Sequence, residues 1–200
     1  MMNNMNDFEI ENGELVQYSG HNSEVIIPEG TISINRYCFG YNCEIERVVI
    51  PEGVTSITES TFAFCSNLAE VVLPNSLESI DSNAFYKCGS LKKIVWPKKE
   101  VSIGASAFKE CNQLADEDGF VVVNNILFDY VGMDSVVTIP EGVEVISENA
   151  FYLCEKIQEI IIPDSVKRIC NRAFSSSGIE RCQFSNSPVI LEEGIFDHCA

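Results

Sequence analysis

Leu68-Ala69-Glu70-Val71-Val72-Leu73-Pro74-Asn75-Ser76-Leu77-Glu78-Ser79-Ile80-Asp81-Ser82-Asn83-Ala84-Phe85-Tyr86-Lys87-Cys88 is one copy of a unit that recurs along most of this chain. Its Pro74 stands 11 residues before Phe85, and the same spacing links Pro28 to Phe39, Pro51 to Phe62, Pro97 to Phe108, Pro140 to Phe151 and Pro163 to Phe174. Successive pairs lie 23 residues apart, except that Pro97 to Pro140 spans 43. A seventh copy ends in Phe196, with Ser185 in the proline position. A period in this range is that of a stacked solenoid, in which no single unit buries its own apolar face and neighbours complete the core.

Each copy reads as a strand, a proline turn, a second short apolar segment and a compact turn carrying the phenylalanine. The segment before each proline, as in Ile45 to Ile50, Leu68 to Leu73, Leu91 to Trp96, Ile157 to Ile162 and Ile179 to Phe184, is rich in β-branched residues and favours strand. Every crossover returns to the same edge, so these strands are expected to lie parallel in one sheet. Proline cannot donate to the ladder and ends each strand. In Pro28-Glu29-Gly30, Pro51-Glu52-Gly53 and Pro140-Glu141-Gly142 the glycine suits a turn conformation that other residues resist. The Asn83-Ala84-Phe85 type of segment is too short for an isolated helix, and one helical or 3₁₀ turn is expected, with its Phe plugging the core.

A leucine or isoleucine, then proline, serine, a second isoleucine and an Ala-Phe-x-x-Cys close make up the pattern at Leu68 to Cys88, and it returns at Ile157 to Phe174. This pattern resembles the BspA-like, or Treponema-type, class of leucine-rich repeat, and it covers nearly everything from residue 8 onward. The resemblance implies an α/β, mostly β, leucine-rich-repeat solenoid. It also implies microbial surface proteins associated with adherence and host-protein binding. Departures are local: Cys38 replaces the alanine before Phe39, Ser177 takes the cysteine position after Phe174, and Ser185 replaces proline.

A longer repeat overlies the short one. Phe8 through Pro28 superimposes on Phe120 through Pro140 at a constant offset of 112, matching Leu15 with Leu127, Tyr18 with Tyr130 and Gly20 with Gly132. Each stretch reads as a β-hairpin, turning at Asn12-Gly13 and at Asn124-Asn125, both suited to positive φ. The predicted organisation is one solenoid domain over residues 1–200, with an N-terminal hairpin cap at 8–27, a first repeat block at 28–111, an inserted hairpin at 112–139 and a second block at 140–200. At the other end the Phe196 turn stops before a following strand, which suggests a piece of a longer array or an edge covered by a partner.

The net charge of −17, with only 13 basic residues spread along the chain, argues against nucleic-acid binding, which requires clustered Lys and Arg. The first residues lack the basic and apolar regions of a secretory signal, and no apolar run reaches membrane-spanning length. As written the chain reads as cytoplasmic, and as cell-surface if it is a fragment of a longer protein. Among nine cysteines, Cys65, Cys88, Cys111, Cys154 and Cys199 stand three residues after a repeat phenylalanine. Stacked repeats would hold them with parallel side chains, so the column reads as buried thiols acting as small hydrophobes.

Chemistry-bearing constellations are sparse. Only His21 and His198 are present, and no nucleophile elbow, phosphate loop or metal-ligand spacing occurs. His198-Cys199 is a candidate thiol–imidazole pair, but adjacent residues point apart. Asp116-Glu117-Asp118 is a candidate calcium loop without a loop motif. The reading therefore expects no catalytic residue, cofactor or metal. The outward positions of the strands are more informative. Ile26, Val49, Val72, Val95, Thr138, Ile161 and Gln183 form one column, and Arg47, Glu70, Lys93, Glu159 and Arg181 form another beside it. The first reads either as lateral β packing or as an exposed apolar docking stripe, and the second as a ladder of alternating charge that disfavours shifted register. The candidate partner face is thus Val49, Val72, Val95, Ile161, Arg47, Glu70, Lys93 and Glu159, offered to a protein of unknown identity. The alternative is a scaffold segment that self-associates through its C-terminal edge.

Overall fold

The computed structural model describes residues 5–184 and 187–199 and divides into two compact units, Met1–Leu114 and Ala115–Ala200. The replacement of proline by Ser185 lies outside the described residues. Both units are nearly all β: among the described residues helix is confined to two 3₁₀ turns, Met5–Asp7 and Asn112–Leu114.

The first unit opens with an antiparallel hairpin, β1 (Phe8–Glu11) and β2 (Glu14–Tyr18), turning through Asn12 and Gly13 at φ 51° and 83°. The strands before the prolines follow as β3 (Glu24–Ile26), β5 (Arg47–Val49), β7 (Glu70–Val72) and β9 (Lys93–Val95), paired in parallel in the order β3-β5-β7-β9. The glycines after the prolines turn at positive φ as expected, 86° at Gly30 and 104° at Gly53.

The segment after each proline turn, expected only as a short apolar stretch, forms a ladder of its own. Here β6 (Ser56–Ile57), β8 (Ser79–Ile80) and β10 (Ser102–Ile103) pair in parallel, and β4 (Ser33–Ile34) pairs with β2 of the hairpin. Its isoleucines Ile34, Ile57 and Ile80 are sealed in the core, while its serines face out and Ser79 Oγ lies 2.9 Å from Ser56 Oγ.

The expected helical turn at each phenylalanine is replaced by a run of non-helical turns. Residues two before and two after each Phe take left-handed backbone, among them Ser60 (58°), Phe64 (64°), Asn83 (58°) and Lys87 (61°). That geometry alternates the amide directions. Ala63 and Cys65 donate within their own turn, to Ser60 and Phe62, whereas Ser60, Phe62 and Phe64 donate to Ser82, Ala84 and Tyr86 of the next coil. A continuous helix would point every amide along its own axis and forgo these coil-to-coil bonds. A left-handed non-glycine residue costs roughly 1–2 kcal/mol, and the intercoil bonds satisfy amides that burial would otherwise orphan.

The second unit repeats the plan. Its hairpin is β11 (Phe120–Val123) and β12 (Ile126–Tyr130), turning at Asn124 and Asn125 with φ 47° and 61°. One ladder continues from it through β14 (Val145–Ile146), β16 (Arg168–Ile169) and β18 (Ile190–Leu191). The other runs β13 (Val136–Thr138), β15 (Glu159–Ile162) and β17 (Arg181–Phe184).

Each core is threaded by a file of aromatic rings that the hairpin begins. In the first unit Phe8, Tyr18, Phe39, Phe62, Phe85 and Phe108 follow one another with centroids 5.0 to 5.3 Å apart. In the second the file is Phe120, Tyr130, Phe151, Phe174 and Phe196, at 5.0 to 5.5 Å. That spacing is close to the ~4.8 Å between strands, so one ring per coil fills the interior without gaps. Each hairpin contributes two rings and the first edge of a ladder.

Candidate binding faces

Alternation within the three-residue strands decides what each face shows. On β3, β5 and β7 the middle residues Val25, Val48 and Val71 are fully buried, and the residues on either side point outward. Flanking Leu68 and Leu73 are buried as well. The outward residues therefore stand in register across four strands: Glu24, Arg47, Glu70 and Lys93 in one row, Ile26, Val49, Val72 and Val95 in the other.

The charged row is internally paired. Arg47 bonds Glu24 through Nη1 and Glu70 through Nε at 3.4 Å, and Lys93 Nζ lies 3.2 Å from Glu70. The Lys93 ammonium, with Arg47 on the other side, holds the Glu70 carboxyl below its usual range against the opposing effect of burial. Such exposed pairs are worth about 0.2–1 kcal/mol each. The apolar row beside them is accessible at its two ends, where Ile26 and Val95 are exposed, and half-buried at Val49 and Val72.

The second unit places its counterparts differently. Val136, Glu159 and Arg181 align, as do Thr138, Ile161 and Gln183. Arg181 bonds Glu159 at 2.8 Å, and Gln183 donates to the same carboxylate. Ile161 is thus half-buried between two polar neighbours, and no apolar row forms there.

The remaining sequence candidates are accounted for by local bonding. Cys199 Sγ lies 3.0 Å from Phe174 O and 3.6 Å from Ser177 Oγ, so its thiol is directed into the turn while His198 is exposed. His21 is 83% exposed and bonds Glu44 at 3.0 Å. The Asp116 carboxylate accepts from the amides of Asp118 (3.1 Å) and Phe120 (2.8 Å), closing its own turn. Among the described residues no three His, Cys, Asp or Glu side chains converge as metal ligands.

No disulfide joins any of the cysteines among the described residues. The column thiols do more than fill space: Cys65, Cys88 and Cys111 each direct Sγ at the carbonyl of the repeat phenylalanine one coil back, at 3.0, 3.1 and 3.0 Å. Burial pushes the Cys65 thiol up, and the neighbouring Cys111 thiol together with burial does the same to Cys88.

Two surface features escaped the sequence reading. Tyr41 and Phe64 stack at 4.5 Å outside the core, Tyr86 meets Phe64 edge-on at 5.4 Å, and Lys87 Nζ sits 5.5 and 5.3 Å from the Phe64 and Tyr86 rings. Their signal was an aromatic residue recurring two positions after Phe39 and Phe62. The other is a group of lysines around β9.

The chain matches the BspA-type leucine-rich repeat region in six copies, over residues 16–115 and 122–200. Among solved structures, a leucine-rich repeat protein of T. pallidum is 24% identical with a TM-score of 0.60, over 96% of this chain and 86% of that one. A leucine-rich cell surface protein of Faecalibacterium prausnitzii is 22% identical with a TM-score of 0.52, over 92% and 74%. A pneumococcal vaccine antigen is 19% identical with a TM-score of 0.51, over 93% of this chain and 45% of the antigen. At these identities the likeness is one of fold. No match was found among curated proteins. Among the described residues no helix is long and apolar enough to cross a membrane. The chain belongs to the BspA-type leucine-rich repeat family.

Proposed function

We propose that this BspA-type leucine-rich repeat chain is a non-enzymatic protein-binding module that presents the sheet face of its first unit to a macromolecular partner. Leucine-rich repeat proteins are generally protein-interaction modules, and the family is typically non-enzymatic. The observation that carries the reading is the in-register row Ile26, Val49, Val72 and Val95, lying beside a charge row already neutralised from within. Contiguous exposed apolar surface favours docking. A partner that covers this face gains apolar contact and need not supply counter-charges for Arg47 or Glu70. Adhesion at a microbial surface is the biological setting we favour, in line with the F. prausnitzii relative being described as a cell surface protein.

Replacing Val49 and Val72 by lysine tests this. Both are half-buried outward residues, so the fold should persist by circular dichroism while capture of partner proteins from host extracts is lost. Undiminished capture by the folded variant would reject the face.

One observation favours a second reading, self-association at the C-terminal edge: Phe184, Ile190 and Leu191, on the outermost strands β17 and β18, are 42%, 64% and 50% exposed. Light scattering of F184K/L191K against the parent protein separates the two, since only self-association predicts a fall in mass.

A further inference from the structure

In a chain of net charge −17 with 13 basic residues, four lysines fall within eight positions, Lys92, Lys93, Lys98 and Lys99. Lys93 opens β9, the outermost strand of its sheet, and the other three flank it. Where Val25, Val48 and Val71 are each sealed at 0% exposure, Ile94 in the same register is half-buried, and Val95 is 39% exposed. Among the described residues no further strand pairs with β9 on the side away from β7. In a parallel ladder alternate residues bond to one neighbour. Lys93 N–H donates to Ala69 O at 3.2 Å and Val95 O accepts from Leu73 N–H at 3.0 Å, so both face β7. The N–H and C=O of Ile94 therefore project from the free edge. Lys93 is held by Glu70, and Lys99 donates to Ser76 O at 3.1 Å, whereas Lys92 and Lys98 make no ion pair among the described residues.

We propose that this edge is a docking site for an extended acidic segment of a partner protein, which adds to β9 as a further strand. Ile94 supplies one donor and one acceptor to the incoming backbone, and Lys92 and Lys98 meet its carboxylates. Edge lysines also guard a sheet against edge-to-edge aggregation. A guard repels a second β9, which carries the same lysines, yet the same charges attract an acidic strand. The overall negative charge does not prevent contact, because at physiological salt fields are screened beyond about 8 Å and the local cluster dominates. A nucleic acid meets the same lysines but has no use for the Ile94 peptide groups. The proposal rests on the binding-module reading and adds a second surface to it.

The chain carries a single tryptophan, Trp96, directly after β9, so its emission reports on the surroundings of this edge. The full chain is titrated with a capped octapeptide alternating glutamate and valine. A saturable change in Trp96 emission is expected, weakened about tenfold or more by K92E/K98E and by raised salt. A peptide of equal charge with proline in place of each valine, which loses every valine N–H and is held at a φ of about −65° away from strand geometry, should bind far more weakly, and V49K, two strands in from the edge, should bind the peptide as the parent does. No saturable change, or equal binding by K92E/K98E, leaves only an aggregation guard and overturns the proposal. Equal binding of the proline peptide, or tighter binding of a single-stranded oligonucleotide, overturns it in favour of a general anion patch. Because V49K probes the sheet face and K92E/K98E the edge, either idea can fail without the other.

Discussion

The two units begin with the same hairpin and build the same pair of ladders, but they keep different things. Inside, they agree: Tyr18 and Tyr130 stand second in equivalent ring files, and Leu15 and Leu127 are both fully buried. Outside, they part: the row that reads Ile26, Val49, Val72, Val95 in the first unit reads Thr138, Ile161, Gln183 in the second. Core positions answer to a fixed coil spacing, so a changed ring leaves a void or a clash. Outward positions answer only to strand propensity and to whatever binds them. The divergence of that row is the reason to place docking on the first unit.

The sharpest way to break the comparison is to remove one ring from each file. Phe85→Ala and Phe174→Ala, both fully buried, should each cost about 3–5 kcal/mol in urea denaturation. A much smaller loss in one unit would mean that its file is not a true core. Next in size is the glycine two residues after each hairpin tyrosine. A Cβ at Gly20 would stand 2.6 Å from the Tyr18 hydroxyl, and one at Gly132 would overlap the Tyr130 ring still more closely. Gly132→Ala should therefore cost about 1–3 kcal/mol and Gly20→Ala less, measured the same way.

The hairpin tyrosines differ in their hydroxyls. Tyr130 Oη donates to Asp134 Oδ2 at 3.2 Å, whereas the buried Tyr18 hydroxyl has no partner among the described residues. Tyr130→Phe should lose about 1 kcal/mol, and Tyr18→Phe should be neutral or stabilising, because it removes a desolvated group that bonds nothing. Equal losses would show that the first hydroxyl is satisfied in solution. The sequence aligns these tyrosines but cannot rank them: the difference rests on Asp134 where the offset puts Asn22, and Asn22 donates instead to Asp7.

Much of the fold was legible because its determinants are local and repeated. Proline ends the strands, Asn-Gly and Asn-Asn turn the hairpins, and strict alternation sends Val71 in and Val72 out. The second ladder was not legible, since Ser79–Ile80 is too short to carry a period and exists only by pairing with its neighbours. Nor were the left-handed residues around each Phe, since Tyr41, Phe64 and Lys87 have no intrinsic preference for positive φ and are held there by bonds to the next coil. Of the candidate site, the two rows were readable from spacing. Their accessibility was not, because it depends on where a sheet ends, and Ile94 differs from Val71 only in lacking a neighbour.

The smallest effect concerns the charge rows that both units retain. Hydrogen bonding from Lys93 lowers the Glu70 carboxyl in the first unit, and Arg181 lowers Glu159 in the second. A carboxylate depressed in the folded state stabilises fully above its unfolded value, near 4.5, and that contribution is lost as pH falls through the folded value. Stability should therefore decline below about pH 4.5, and Glu70→Gln should flatten the decline in the transition followed by Trp96, which lies in the first unit with Glu70. Glu159→Gln acts on the row that lacks the apolar column, and it should flatten the far-ultraviolet transition without altering partner capture. If it instead lowers capture as V49K/V72K is expected to, the polar face of the second unit takes part in binding, and the contrast between the units no longer locates the site.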